Sequence, residues 1–132
     1  MDYLKRYKIV VETQSPIYIG SGDSIGKKEY VFHEFNNKVL IPDLSKLFKG
    51  LGDLNLLNEY EKYLLHYGRD FRVWLDLKKV DRDTYEKWMK YSLDSGDSVF
   101  KYIGKKEIQL FMKDAYGCPY VPGSSLKGAI RT

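Results

Sequence analysis

Apolar and polar positions alternate over residues 7–13, with Tyr7, Ile9, Val11 and Thr13 on one side and Lys8 and Glu12 on the other, which predicts a half-buried β-strand. Pro16 interrupts that run, and Ile17, Tyr18 and Ile19 resume an extended segment before a glycine-rich loop over residues 20–28. Two short β-prone runs, residues 29–35 and 38–41, flank Asn36 and Asn37, residues that tolerate the positive φ of a tight turn, so a hairpin is predicted. The pattern then changes period. Pro42 and Asp43 offer a helix start, Leu44, Leu47 and Phe48 follow at helical spacing, and Gly50 and Gly52 read as stop signals. A second helix is predicted from Leu54, Leu57, Tyr60 and Leu64, closed by Gly68. A third is predicted from Asp83 as cap, with Glu86 three positions on and Trp88, Met89 and Tyr91 behind it, ending at the turn over residues 94–97.

Residues 108–112 form a further predicted strand. The turn residues Asp114 to Gly117 lead from it into Pro119, Tyr120 and Val121. Pro122 and Gly123 then feed a helix start with Ser124 or Ser125 as cap. The sequence stops inside that helix, which is too short to stand alone and is expected to dock or to continue in a longer chain. The element order shows no βαβ alternation and no repeat, which predicts an α+β sandwich.

With 132 residues the chain has the length of one domain, and 43% hydrophobic with 30% charged residues exclude a disordered or fibrous class. No run approaches the ~20 apolar residues of a membrane span, and the first residues lack a secretory apolar stretch, so a cytoplasmic protein with no membrane partner is expected. The lone Cys118 has no second cysteine for a disulfide or a zinc pair, and neither metal nor other cofactor is expected. Twelve tyrosines stand out, and most are expected to pack.

Charge changes the picture more. The net charge of +4 falls entirely in residues 101–132, where Lys101, Lys105, Lys106, Lys113, Lys127 and Arg131 outweigh Glu107 and Asp114. The C-terminal end is therefore the first place to seek a phosphate contact.

The segment Gly123, Ser124, Ser125, Leu126, Lys127, Gly128 carries the strongest local chemistry. A helix start has backbone N–H groups without intrahelical partners and a positive dipole end, glycine allows close approach, the serines donate, and Lys127 and Arg131 share a face. By itself the segment reads first as an ordinary capped helix, because such helices outnumber anion sites. Gly20, Ser21 and Gly22, with Lys27 and Lys28, offer a basic loop open to the same chemistry. That loop fits neither a phosphate loop nor a dinucleotide fingerprint, because five residues separate Gly20 from Gly26 and three separate Gly22 from Gly26. His33 and His66 have no partner at metal-ligand spacing, and Ser124 and Ser125 have no local base, so no catalytic residue is assigned.

Three stretches together resemble the RAMP superfamily: residues 7–22, residues 39–43 (Val-Leu-Ile-Pro-Asp), and residues 120–131 (Tyr-Val-Pro-Gly-Ser-Ser-Leu-Lys-Gly-Ala-Ile-Arg). Their order looks most like the Csm subunit of type III-A CRISPR complexes that caps the 3′ end of the guide RNA. The resemblance implies a ferredoxin-like, RRM-like domain over residues 1–132, carrying a helical insertion at about 54–98 and incomplete at its C-terminus. It implies guide RNA (crRNA) and other RAMP subunits of the Csm complex as partners, in assembly, crRNA maturation and antiviral defence. Gly20, Ser21, Gly22, Gly123, Ser124, Ser125, Lys127 and Arg131 become RNA-backbone contacts, and Lys27 and Lys28 stand beside them. It carries no catalytic aspartate onto this chain. Two other classes stay open: a repeat-processing endoribonuclease of the same superfamily with His33 as general acid or base, and a protein-interaction domain using a tyrosine-rich surface.

Overall fold

The computed structural model describes residues 3–96 and 107–132. The chain divides into two compact units, Asp23–Leu110 and Met1–Gly22 with Phe111–Thr132.

In the larger unit the predicted hairpin forms. Strand β2 (Val31–His33) pairs antiparallel with β3 (Lys38–Pro42), Val31 opposite Leu40, through a 3₁₀ turn at Glu34–Asn36. Asn37 closes the turn at φ 53°, the left-handed conformation asparagine tolerates. Strand β4 (Met89–Asp94) pairs antiparallel with the other edge of β3, giving the order β2-β3-β4. Val31, His33 and Leu40 point from one face of this sheet into the interior.

Four helices accompany this sheet within the unit. Helix α1 (Leu44–Asp53) starts where Asp43 accepts a hydrogen bond from the Lys46 N–H at 3.2 Å, and it buries Leu47 and Leu51. Helix α2 (Leu57–His66) buries Tyr60 and Tyr63, and α3 (Phe71–Leu77) buries Phe71, Trp74 and Leu75. The rings of Tyr60, Tyr63, Phe71 and Trp74 approach at centroid distances of 5.3 to 6.0 Å. Each such pair adds about 0.5–1.5 kcal/mol beyond the area it buries, so this cluster is the centre of the unit's stability. Helix α4 (Arg82–Glu86) is capped by Asp81 and buries Tyr85.

Strands β1 (Gly20–Ile25) and β5 (Ile108–Phe111) pair as a two-stranded sheet. In the smaller unit the Met112 N–H donates to the Ile19 carbonyl at 2.8 Å, and the Tyr120 N–H donates to the Met112 carbonyl at 3.2 Å. The rings of Tyr18 and Phe111 meet edge to face at 6.1 Å. The turn expected after residue 113 is held by Asp114, whose Oδ1 accepts from the N–H groups of Tyr116 and Cys118 at 2.9 Å each. Helix α5 (Gly123–Arg131) follows.

The α+β class is as expected, and several elements differ. Residues 7–13 join no strand among the described residues, and Tyr7, Ile9 and Val11 are exposed. Alternation supplies a face to bury, but a strand also needs a partner for its backbone. Residues 20–25 are strand and not loop, because β5 takes their hydrogen bonds. Gly50 and Gly52 lie inside α1 and do not end it. The third predicted helix starts at Arg82 with Asp81, not Asp83, as cap. Its expected Met89 and Tyr91 belong to β4, opposite Pro42 and Ile41. The stretch assigned to a helical insertion thus contains a strand, and it also contains α3, which the sequence reading passed over. Asp97 of the turn expected at 94–97 lies outside the described residues.

Candidate nucleic-acid interface

Helix α5 begins without a side-chain cap. Pro122 holds the cap position at φ −62° and ψ 138°, and neither Ser124 nor Ser125 caps the helix, contrary to expectation. Proline's fixed φ sets the chain direction, and the Pro122 carbonyl accepts from Ser125 at 3.0 Å. The N–H groups of Gly123 and Ser124 precede any intrahelical acceptor and lie at the positive end of the dipole. Ser124, Lys127, Gly128 and Arg131 are spaced three, four and seven apart, one face of the helix, and all four are exposed. Leu126 and Ile130 lie on another face.

A β-carbon at Gly123 or Gly128 would meet nothing within 4 Å. Packing among the described residues therefore does not require glycine at either place, although a mid-helix glycine such as Gly128 costs about 1 kcal/mol relative to alanine.

The hydrogen bonds from Met112 to Ile19 and from Tyr120 to Met112 link the start of β1 to the approach to α5. They bring Gly20, Ser21 and Gly22 into one compact unit with residues 123–131. Gly22 has φ 89°, a conformation that favours glycine.

Lys27 and Lys28 have a different place. The Lys27 ammonium donates to the Gly68 carbonyl and pairs with Asp70 at 3.7 Å. Lys28 Nζ donates to the Leu64 carbonyl at 2.7 Å and the Tyr63 carbonyl at 3.4 Å, and sits 5.6 Å from the centre of the Tyr63 ring. Lys28 thus sits at the C-terminal end of α2, where the helix dipole is negative, and Lys27 reaches the segment just beyond it. Both ammonium groups are thus held against carbonyls of this chain, with the Lys27 side chain still half exposed. Lys101, Lys105 and Lys106 lie outside the described residues.

His33 is 4% exposed, and its Nε2 is 3.2 Å from the Tyr85 hydroxyl. Burial lowers its pKa, with the cations of Arg82 and Arg72 adding in the same direction. A ring held neutral and away from solvent is poorly placed to exchange protons with an RNA substrate. Among the described residues no cluster of His, Cys, Asp and Glu is arranged to hold a metal ion, and no helix is long and apolar enough to cross a membrane.

One basic place was not visible in the sequence. A groove of about 390 Å³ runs between β3, β4 and α4, lined by Asn36, Lys38, Leu40, Arg82, Lys90 and Ser92 among others. Its three cations come from three separate elements, so no local charge run announces it.

The described residues combine antiparallel strand pairs and helices in an α+β arrangement, and α5 presents an exposed start without a side-chain cap. The chain matches the model of the RAMP superfamily over residues 10–132 and belongs to that superfamily. It is similar to the CRISPR system Cms protein Csm5 of Streptococcus thermophilus, 31% identical over 139 residues that cover 99% of this chain and 38% of that protein. The Csm5 of Enterococcus italicus is 29% identical, covering 97% of this chain and 42% of its own length. The crystal structure of T.onnurineus Csm5 superposes with a TM-score of 0.65 at 31% identity, covering 89% of this chain and 31% of that one, in keeping with a ferredoxin-like RAMP fold. The chain thus spans about two fifths of the length of these curated relatives.

Proposed function

We propose that this chain is part of a Csm subunit of a type III-A CRISPR effector and holds the backbone of the guide RNA near its 3′ end. In this reading it forms a RAMP domain that assembles beside other RAMP subunits and supports crRNA maturation in antiviral defence. The observation that carries the reading is the start of α5. It combines an uncapped positive helix end with Lys127 and Arg131 on one face and two glycines for which the chain itself has no packing use. A phosphate seated there gains backbone N–H donors and the Ser124 and Ser125 hydroxyls, while Lys127 in the middle of α5 and Arg131 in its last turn extend the same face toward neighbouring phosphates of the strand. Gly20, Ser21 and Gly22 form the companion surface of the same unit. The donors suit phosphate and not base edges, so recognition follows the backbone and not the sequence.

The buried, Tyr85-bonded His33 argues against the endoribonuclease alternative through that residue. The test is guide-RNA binding as a function of salt for the unmodified chain and a Lys127→Glu, Arg131→Glu double variant. Loss of two phosphate contacts makes the salt slope shallower by about 1.4, at ~0.7 per contact for a single strand. An unchanged affinity and slope returns α5 to an ordinary helix.

A further inference from the structure

We infer that the groove between β3, β4 and α4 is a second seat for the phosphate backbone of single-stranded RNA. The inference rests on the RNA-binding reading above but on different residues, all within Asp23–Leu110. Lys38, Arg82 and Lys90 line the groove against one carboxylate, Glu86. Glu86 is already committed, since its Oε1 accepts from Arg82 Nε at 2.6 Å. Two cations are left over. Lys38 and Lys90 hold no ion pair among the described residues, a state they share with Lys46, Lys49, Lys79 and Lys87 of the same unit, and they differ from those in lining one groove together. The strand partner of Lys38 is Asp94, which does not line the groove and whose Oδ1 accepts from the Gly96 N–H at 2.8 Å.

The spacing of the two lysines accommodates an extended strand. Lys38 lies opposite Asp94 and Lys90 precedes Asp94 by four residues, so the two lysines stand roughly 13 Å apart along the sheet at ~3.3 Å per residue. Extended side chains from positions that far apart can meet successive phosphates of one strand. Asn36 and Ser92 add neutral donors, and Leu40 and Met89 give the groove an apolar floor. A volume of about 390 Å³ is in the range of clefts that hold small ligands.

The experiment measures binding of a labelled single-stranded uridine oligomer to the full chain across a salt series. Four proteins are compared: unmodified, Lys38→Glu with Lys90→Glu, Lys127→Glu with Arg131→Glu, and all four together. The groove variant should bind roughly 10-fold or more weakly, with a slope shallower by about 1.4, while Lys38→Arg with Lys90→Arg restores both. Lys38→Gln with Lys90→Gln should show the same loss of slope, and serves if the charge reversal prevents folding. Unchanged affinity and slope in the groove variants overturns the inference. Loss only in the α5 variant leaves the first reading standing and removes this one. Loss only in the groove variant does the reverse, and no loss in either removes both.

Discussion

Gly50 of α1 and Trp88 pack so closely that a β-carbon on Gly50 would overlap Nε1 and Cε2 of the indole and lie 2.6 Å from Cζ2. Trp88 has little freedom to retreat. It is buried, and its carbonyl accepts from the Asp43 N–H at 2.8 Å, which joins it to the start of the same helix. Gly50→Ala is therefore expected to destabilise by about 1–3 kcal/mol through overpacking, although alanine is the better helix former by ~1 kcal/mol. Urea unfolding checks this, with a lower midpoint and an unchanged slope.

Gly128 makes the opposite case. Alanine there meets open space, so Gly128→Ala should stabilise the chain by about 0.5–1 kcal/mol. If the α5 face seats RNA backbone, the same variant binds guide RNA more weakly. Thermal melting and an RNA titration on one sample separate the two effects.

His33 makes stability depend on pH. Its folded pKa lies below the ordinary histidine value, first by burial and then through Arg82 and Arg72, partly opposed by Glu86 and Asp76. The unfolded chain therefore takes up a proton near pH ~6.5 that the folded chain refuses. The contribution of neutral His33 is fully present above that pH and is lost as pH falls towards the folded pKa. Urea midpoints measured between pH ~7.5 and ~5 should drop, and His33→Gln should flatten that part of the profile. An equal drop in the variant would assign the effect to other groups.

Lys28→Met removes the cation that closes α2 while keeping much of its apolar stem. A loss of about 1–2 kcal/mol in thermal unfolding is expected, from the helix terminus and the contact with the Tyr63 ring. The salt slope for RNA should stay unchanged, since this charge is spent within the fold.

Asp81 accepts from the Thr84 N–H at 3.2 Å and the Thr84 hydroxyl at 2.5 Å. Asp81→Ala should cost about 1 kcal/mol, and Asp81→Asn, which keeps an acceptor, clearly less. Chemical denaturation of the two variants tests the cap.

The sequence by itself determined the features that local physics governs. Asn36 and Asn37 announced the hairpin because asparagine tolerates the left-handed conformation that Asn37 adopts. Asp43 announced α1, apolar spacing announced α2, and Asp114 announced its turn through hydrogen bonds to nearby backbone. The glycines, serines and cations of α5 are likewise contiguous, which is why the candidate site at 123–131 was legible. Phe71, Trp74 and Leu75 carry a helical period too, but over only seven residues rich in aromatic and branched side chains that signal is weak.

Tertiary structure decided the rest, because those features join residues far apart in the chain. Met89 and Tyr91 became strand when β3 offered them a partner, overriding a helical spacing. Residues 7–13 have a strand's pattern but no described partner, and they remain exposed. Lys27 and Lys28, adjacent in a glycine-rich stretch, look free in sequence, but Lys28 bonds carbonyls of the last turn of α2 and Lys27 bonds the Gly68 carbonyl just beyond it. Lys38, Arg82 and Lys90 form a groove only because β3, β4 and α4 converge, and electrostatic potential depends on distance in space, not on order along the chain.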